Sequence, residues 1–245
     1  MEMRNKKLMA VCALLLVALS ASAQKGAPRV ATPPLDQMTN QVTGVVRNDN
    51  ITEMADKSAV VEGSVYLNDE WRQGSLYTSA GQVLENIPIK YDIRHDVMEV
   101  KTEDGVKVLS GMYIKRFEWV DKENQEKALF LNCKDFGLNE RIYAGFFRVV
   151  VPGAKVQLLS HTELQVQEAN YTPILDVGDK KAEILKKEKF YISDGKQVLE
   201  LKDKNAFKIF GPEEGEMKQY AKKSRLKISK RNDAALLLAH YNTKH

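Results

Sequence analysis

From about Ala59 onward the chain alternates apolar and polar residues. Ile87, Ile89, Tyr91 and Ile93 fall on one side of an extended segment, and Lys90, Asp92 and Arg94 fall on the other. That two-residue period belongs to a strand with one covered face. Pro88 has no N–H to give to a ladder, so this strand is expected to begin there or to lie at a sheet edge. Similar runs follow over 98–102, 106–109, 112–120, 127–133, 141–151, 156–160 and 164–167, and a last pair over 190–193 and 197–201.

The gaps between these runs carry turn chemistry. Asp104-Gly105 and Asp194-Gly195 suit tight hairpins, in which both turn residues take positive φ. Pro152-Gly153 suits a type II turn, with glycine as the left-handed residue. Links this short join antiparallel neighbours, because a parallel crossover needs a dozen or more residues. The expectation is a mainly β (α+β) fold over 59–202: an antiparallel meander whose sheet is curved, folded over itself or half covered.

After residue 202 the period lengthens. Ala206, Phe207 and Phe210 suit a short helix, and Pro212 with Glu213 and Glu214 marks a helix start followed by Met217, Tyr220 and Ala221 on one face. Asn232 or Asp233 is the expected cap of a final helix in which Ala234, Leu237, Leu238 and Tyr241 recur at i, i+3, i+4 and i+7. Residues 203–245 thus read as a small helical cap that lays its apolar stripe on the sheet.

The chain opens differently. Arg4, Lys6 and Lys7 precede an apolar run from Leu8 to Leu19, and Ser20-Ala21-Ser22-Ala23 supplies an A-x-A cleavage pattern before Gln24. These are the three parts of a secretory signal, and the apolar run is shorter than the ~20 residues of a membrane-spanning helix. Residues 1–23 are therefore expected to be a signal peptide. Residues 24–58, with Ala27-Pro28, Thr32-Pro33-Pro34 and a polar stretch to Asn50, read as a flexible lead-in. No cysteine stands at the cleavage point, which argues against a lipid anchor. Export to the periplasm or the exterior follows.

Export narrows what the rest of the composition means. After Ala23 the chain carries 34 basic and 32 acidic residues, a net charge of +2, and nothing in that balance argues for nucleic acid. Cys133 is the one cysteine left, so no internal disulfide can form and the core alone must hold the fold.

Gly63-Ser64-Val65-Tyr66-Leu67-Asn68-Asp69-Glu70-Trp71, then Gly74, then the strand Ile87-Pro88-Ile89-Lys90-Tyr91-Asp92-Ile93-Arg94 form a pattern similar to one in exported proteins of Bacteroidota. The closing stretch from Asp233 to Asn242 resembles the same group. The resemblance extends over most of 60–242 through loose motifs, and Asp92 stands where asparagine is common. The group's function is not established, so the likeness implies compartment and lineage and supplies no catalytic residue.

The candidate chemistry is sparse. His95, His161, His240 and His245 show no metal-ligand spacing. His95 sits in a turn where Asp92 or Asp96 would orient it as a base, but an exposed turn residue is the plainer reading. His161 beside Glu163 is the same case. Cys133 alternates with Leu129 and Leu131 and reads as a buried core thiol. No G-x-S-x-G elbow exists. Asn68-Asp69-Glu70-Trp71 would suit a calcium or sugar loop, yet consecutive acids diverge, and a structural turn with Trp71 anchored in the core is favoured.

Lys222, Lys223, Arg225, Lys227, Lys230 and Arg231 form the densest charge run, without an acid among them. An anionic membrane surface is one partner for it; a solvated helix end is the simpler account. No catalytic, cofactor-binding or metal-binding residue and no cofactor is assigned. The expectation is a non-enzymatic binding or structural module whose open sheet face meets an envelope protein partner. The alternative is a carrier of a lipid or other apolar ligand in a half-barrel cavity beneath the C-terminal helices. A packed interface there excludes a carrier of that design.

Overall fold

The computed structural model describes residues 61–121, 125–136, 144–171, 175, 178 and 181–244. The expected signal peptide, the lead-in, the first residues of the 141–151 run and His245 lie outside them. Within them the alternating runs become one mainly antiparallel sheet: β1 (Val61–Glu62), β2 (Arg72–Thr78), β3 (Val83–Asp92), β4 (Val97–Thr102), β5 (Gly105–Ser110), β6 (Ile114–Val120), β7 (Lys127–Asn132), β8 (Phe146–Val151), β9 (Gln157–Gln167), β10 (Ala182–Ser193) and β11 (Val198–Glu200). Two meanders, β2 to β5 and β6 to β10, join because β6 returns to pair with β2. The order β1-β10-β9-β8-β7-β6-β2-β3-β4-β5 is open at both ends, with β11 beside β10. β1 alone runs parallel to its neighbour.

Several features differ from expectation: Met112 and Tyr113 lie in a 3-10 turn before β6, β10 starts well before Phe190, and three further differences have a direct physical reason. β3 begins at Val83, and Pro88 lies inside it, paired with Gln73 of β2. Pairing with β4 starts only at Ile89, so the missing N–H of Pro88 breaks no ladder on that side. The runs 156–160 and 164–167 are one strand, β9, because β10 pairs with it from Gln157 to Gln167 across the polar His161-Thr162-Glu163. Backbone pairing needs no apolar side chain. Gly153 does not adopt a left-handed φ. It is small for another reason: a Cβ there would fall 2.3 Å from Asn242 Nδ2 and 2.1 Å from the Val156 carbonyl oxygen. Asp104-Gly105 and Asp194-Gly195 do lie at hairpin turns, but only the glycines take positive φ, Gly105 at +120° and Gly195 at +82°; the two aspartates do not.

One sheet face carries most of the core. Leu76, Ile89, Tyr91, Met98, Val100, Leu109, Ile114, Phe117, Trp119, Phe130 and Phe146 form a buried cluster. Tyr91 of β3 meets Phe146 of β8 with ring centroids 5.1 Å apart. β2, β6 and β7 separate those two strands in the sheet. At about 4.8 Å per strand the rings would be far apart across a flat sheet, so the sheet bends over this face.

The helical cap follows β11. A 3-10 segment, Ala206–Glu213, kinks at Gly211, and α1 (Glu214–Lys223) starts just beyond Pro212. The final helix, α2 (Arg231–Thr243), begins earlier than the expected cap residues; Lys230 is its N-cap and makes no side-chain capping bond. Asp233 instead accepts the Lys227 N–H at 2.9 Å. Ile209, Phe210, Met217, Ala221, Ala234, Leu237 and Leu238 pack on Leu158 and Ile192 of the sheet and on Val156 in the β8–β9 link. Asn242 fastens the end of α2 to the β8–β9 link: its Oδ1 accepts the N–H groups of Lys155 and Val156, and its Nδ2 donates to the Val156 carbonyl at 2.8 Å.

Candidate functional site

The even-numbered residues of β9 trace one face. Leu158 lies under the helices, while Ser160, Thr162, Leu164 and Val166 continue the row beyond them. Here the bent sheet leaves a cavity of about 600 Å³, within the usual size range of small-molecule sites. Its walls are Tyr91, Trp119, Phe130 and Phe146, with Leu67, Ile93, Leu164 and Val166. The aromatic set is held from behind by Phe117, which stacks on Phe130 at 4.4 Å and meets Phe146 edge-on at 4.9 Å.

Polar groups line the same space or lie buried elsewhere on this face. Arg148 lies 3.5 Å from Asp121, and both line the cavity. Arg94 lines it too and is exposed, with no carboxylate in ion-pair range among the described residues. Arg72, paired with Ile89 in the ladder, is buried on this face of the sheet, and its Nε and Nη1 make no hydrogen bond among the described residues. Tyr91 donates its hydroxyl to Asp96 at 2.7 Å; burial, then that carboxylate, push its pKa far up, so it stays a neutral phenol.

The candidates from the sequence are mostly placed elsewhere. Cys133 is fully buried among Phe136, Phe147, Leu159 and Tyr191 in the 3-10 turn after β7, and burial raises its pKa well above the thiol range. His161 borders the cavity with Glu163. Its Nε2 lies 3.0 Å from the Ala144 carbonyl and its Nδ1 3.7 Å from Glu163 Oε1, and burial lowers its pKa and favours the neutral ring. His95 does meet Asp92, Nδ1 to Oδ2 at 2.8 Å, but Asp92 also accepts the His95 N–H, which makes the contact a turn cap.

In the loop after β1, Asn68 accepts the Glu70 N–H, and Asp69 is held by Ser64 and by Lys186 at 3.5 Å. The Ser64 hydrogen bond, ahead of other effects, keeps Asp69 below its ordinary pKa. Trp71 is half-buried rather than anchored in the core. Among the described residues no group of three His, Cys, Asp or Glu side chains converges as a metal site would, and no helix is long and apolar enough to cross a membrane.

The sequence reading placed a cavity under the helices. That interface is packed: Leu158, Ile192, Met217, Leu237 and Leu238 have no exposed surface. No cavity opens there among the described residues, and the open space lies further along the same face. Comparison with family models, curated proteins and solved structures finds no match for the chain.

Proposed function

We propose that the chain is an exported binding protein that takes an amphipathic small molecule, such as a fatty acid or a lysophospholipid, into the concave face beside β9. The observation that carries this is the cavity itself: aromatic residues in its wall, adequate volume, and at its edge the guanidinium of Arg94, which has no carboxylate in ion-pair range among the described residues. The aromatic part of the wall favours a hydrocarbon body, and the cation favours an acidic or hydrogen-bond-accepting end. The A-x-A pattern and the resemblance to exported Bacteroidota proteins support an envelope location. None of this requires bond-making chemistry.

Trp71 and Trp119 are the two tryptophans of the chain, and Trp119 lines the cavity. In a Trp71→Phe background, titration with a long-chain fatty acid should change Trp119 emission to saturation. Thr162→Trp, which fills the space from β9, should abolish binding of a radiolabelled fatty acid while leaving the far-UV spectrum intact. Unchanged affinity in the filled variant refutes the reading.

A second reading, a protein partner, has its own observation. β5 ends the strand order, and Val106 and Val108 on it are exposed, with Met112 just beyond. Such an edge offers unpaired backbone groups to another chain. Native mass spectrometry of protein purified from its own cells separates the two: a copurified small molecule supports the cavity, a stoichiometric polypeptide supports the edge.

A further inference from the structure

We propose that the turn joining α1 to α2 docks on the surface of an anionic phospholipid bilayer. Residues 202–244 carry eleven Lys and Arg against five Asp and Glu, whereas residues 24–201 carry 23 against 27. The helical cap is therefore strongly cationic on a nearly neutral protein. Lys222, Lys223, Arg225, Lys227 and Lys230 are all exposed, and none forms an ion pair among the described residues. Arg231, next in the run, lies over the Phe190 ring at 5.4 Å.

Local helix electrostatics accounts for only part of this. Lys222 and Lys223 sit in the last turn of α1, where a cation is favoured by the helix dipole. Lys227, Lys230 and Arg231 gather at the opposite pole, the N-terminus of α2, where the dipole disfavours cations and a Ser, Thr, Asp or Asn cap is preferred.

Arg225 is the second anomaly. The Leu226 N–H donates to the Ala221 carbonyl at 2.8 Å and the Arg225 N–H to the Lys222 carbonyl at 3.2 Å, the paired bonds of a Schellman C-cap. Arg225 occupies its left-handed position at φ +58°, where glycine is strongly favoured and a long side chain is strained. Leu226 and Ile228 meanwhile pack against the core and hold the turn in place. Four basic residues thus stand where local stability would choose something else, on a rigid corner that presents them together. Such a concentration is explained by an external negative surface, and the anionic headgroups of a bilayer supply one.

The test is co-sedimentation of the full mature chain, without added ligand, with vesicles of phosphatidylcholine alone or mixed with phosphatidylglycerol. Binding should require phosphatidylglycerol and fall steeply as salt rises. Each basic residue at such a surface contributes roughly a fivefold factor. Lys227→Gln with Lys230→Gln should weaken binding roughly 20-fold. Arg225→Gly should weaken it about fivefold while raising the thermal midpoint, since glycine relieves the left-handed strain. Equal binding to phosphatidylcholine alone, no effect of these variants, or tighter binding to duplex DNA at the same salt overturns the proposal.

Discussion

Asn242 ties the end of α2 to the β8–β9 link through its side-chain amide. Removing its amide, as Asn242→Ala, deletes three hydrogen bonds at once. Lys155 is exposed, and its N–H will turn to water. Val156 is 1% exposed, so both its N–H and its carbonyl lose their partner inside the protein. A buried backbone group left unpaired costs about 1–3 kcal/mol. With some water entering the gap, a loss of roughly 2–4 kcal/mol is expected. In a domain of this size that is a fall of about 5–15 °C in thermal midpoint.

Chemical denaturation followed by far-UV circular dichroism measures the change directly. Asn242→Asp keeps the two accepted bonds but sets a carboxylate oxygen against the Val156 carbonyl, and should fall between wild type and alanine. Gly153→Ala drives a Cβ into the same amide as well as into the Val156 carbonyl, so its effect and that of Asn242→Ala should be less than additive in a double-mutant cycle, by the part of the clash that the amide supplies. A loss below about 0.5 kcal/mol in Asn242→Ala, or clean additivity of the pair, refutes the argument that this side chain fastens the cap.

His161 should make stability fall in acid. Its folded pKa is lowered by burial, so below the unfolded value of about 6.5 the unfolded chain takes up the extra proton and gains on the folded one. The denaturation midpoint should drop as the pH is lowered from above 7 to below 6, and less so in His161→Gln; an unchanged slope in that variant contradicts the assignment. Cys133 should resist iodoacetamide in the native protein and react fully once unfolded, because burial holds the thiol protonated and out of reach. Rapid native labelling, read by mass spectrometry, would show the 3-10 turn opening.

The mainly β fold with a helical cap was legible because most strands alternate over a long enough stretch. Ile89 and Tyr91 point inward and Lys90 outward, as the period requires. β2 was not legible: its buried face is Arg72, Gly74, Leu76 and Thr78, a row with one aliphatic side chain. The first half of β10 was hidden for a related reason, since Lys186-Lys187-Glu188-Lys189 pairs with β9 through the backbone while its side chains stay mostly exposed or half-buried. The cavity was beyond reach for a different one. Trp119, Phe130, Phe146 and Arg148 come from three adjacent strands, and only the bend that brings Tyr91 of β3 to Phe146 folds a second wall over them. A period reports which face is covered; it carries no information on what does the covering.

That distinction also places the cavity. The helices cover one end of the concave face, where Leu158 and Ile192 meet Leu237 and Leu238. Beyond them the face has no second layer among the described elements and must be closed by the sheet bending over itself. Aromatic rings close such a bend well near its centre, where Phe117, Phe130 and Phe146 interlock. Between that knot and the row Ser160, Thr162, Leu164 and Val166 an open space remains. Larger apolar residues at Ser160 and Thr162 would fill the space and stabilise the fold by burying more surface. The sequence instead keeps two hydroxyl-bearing side chains opposite four aromatic ones, which is the arrangement expected if the space is reserved for a ligand with both an apolar and a polar part.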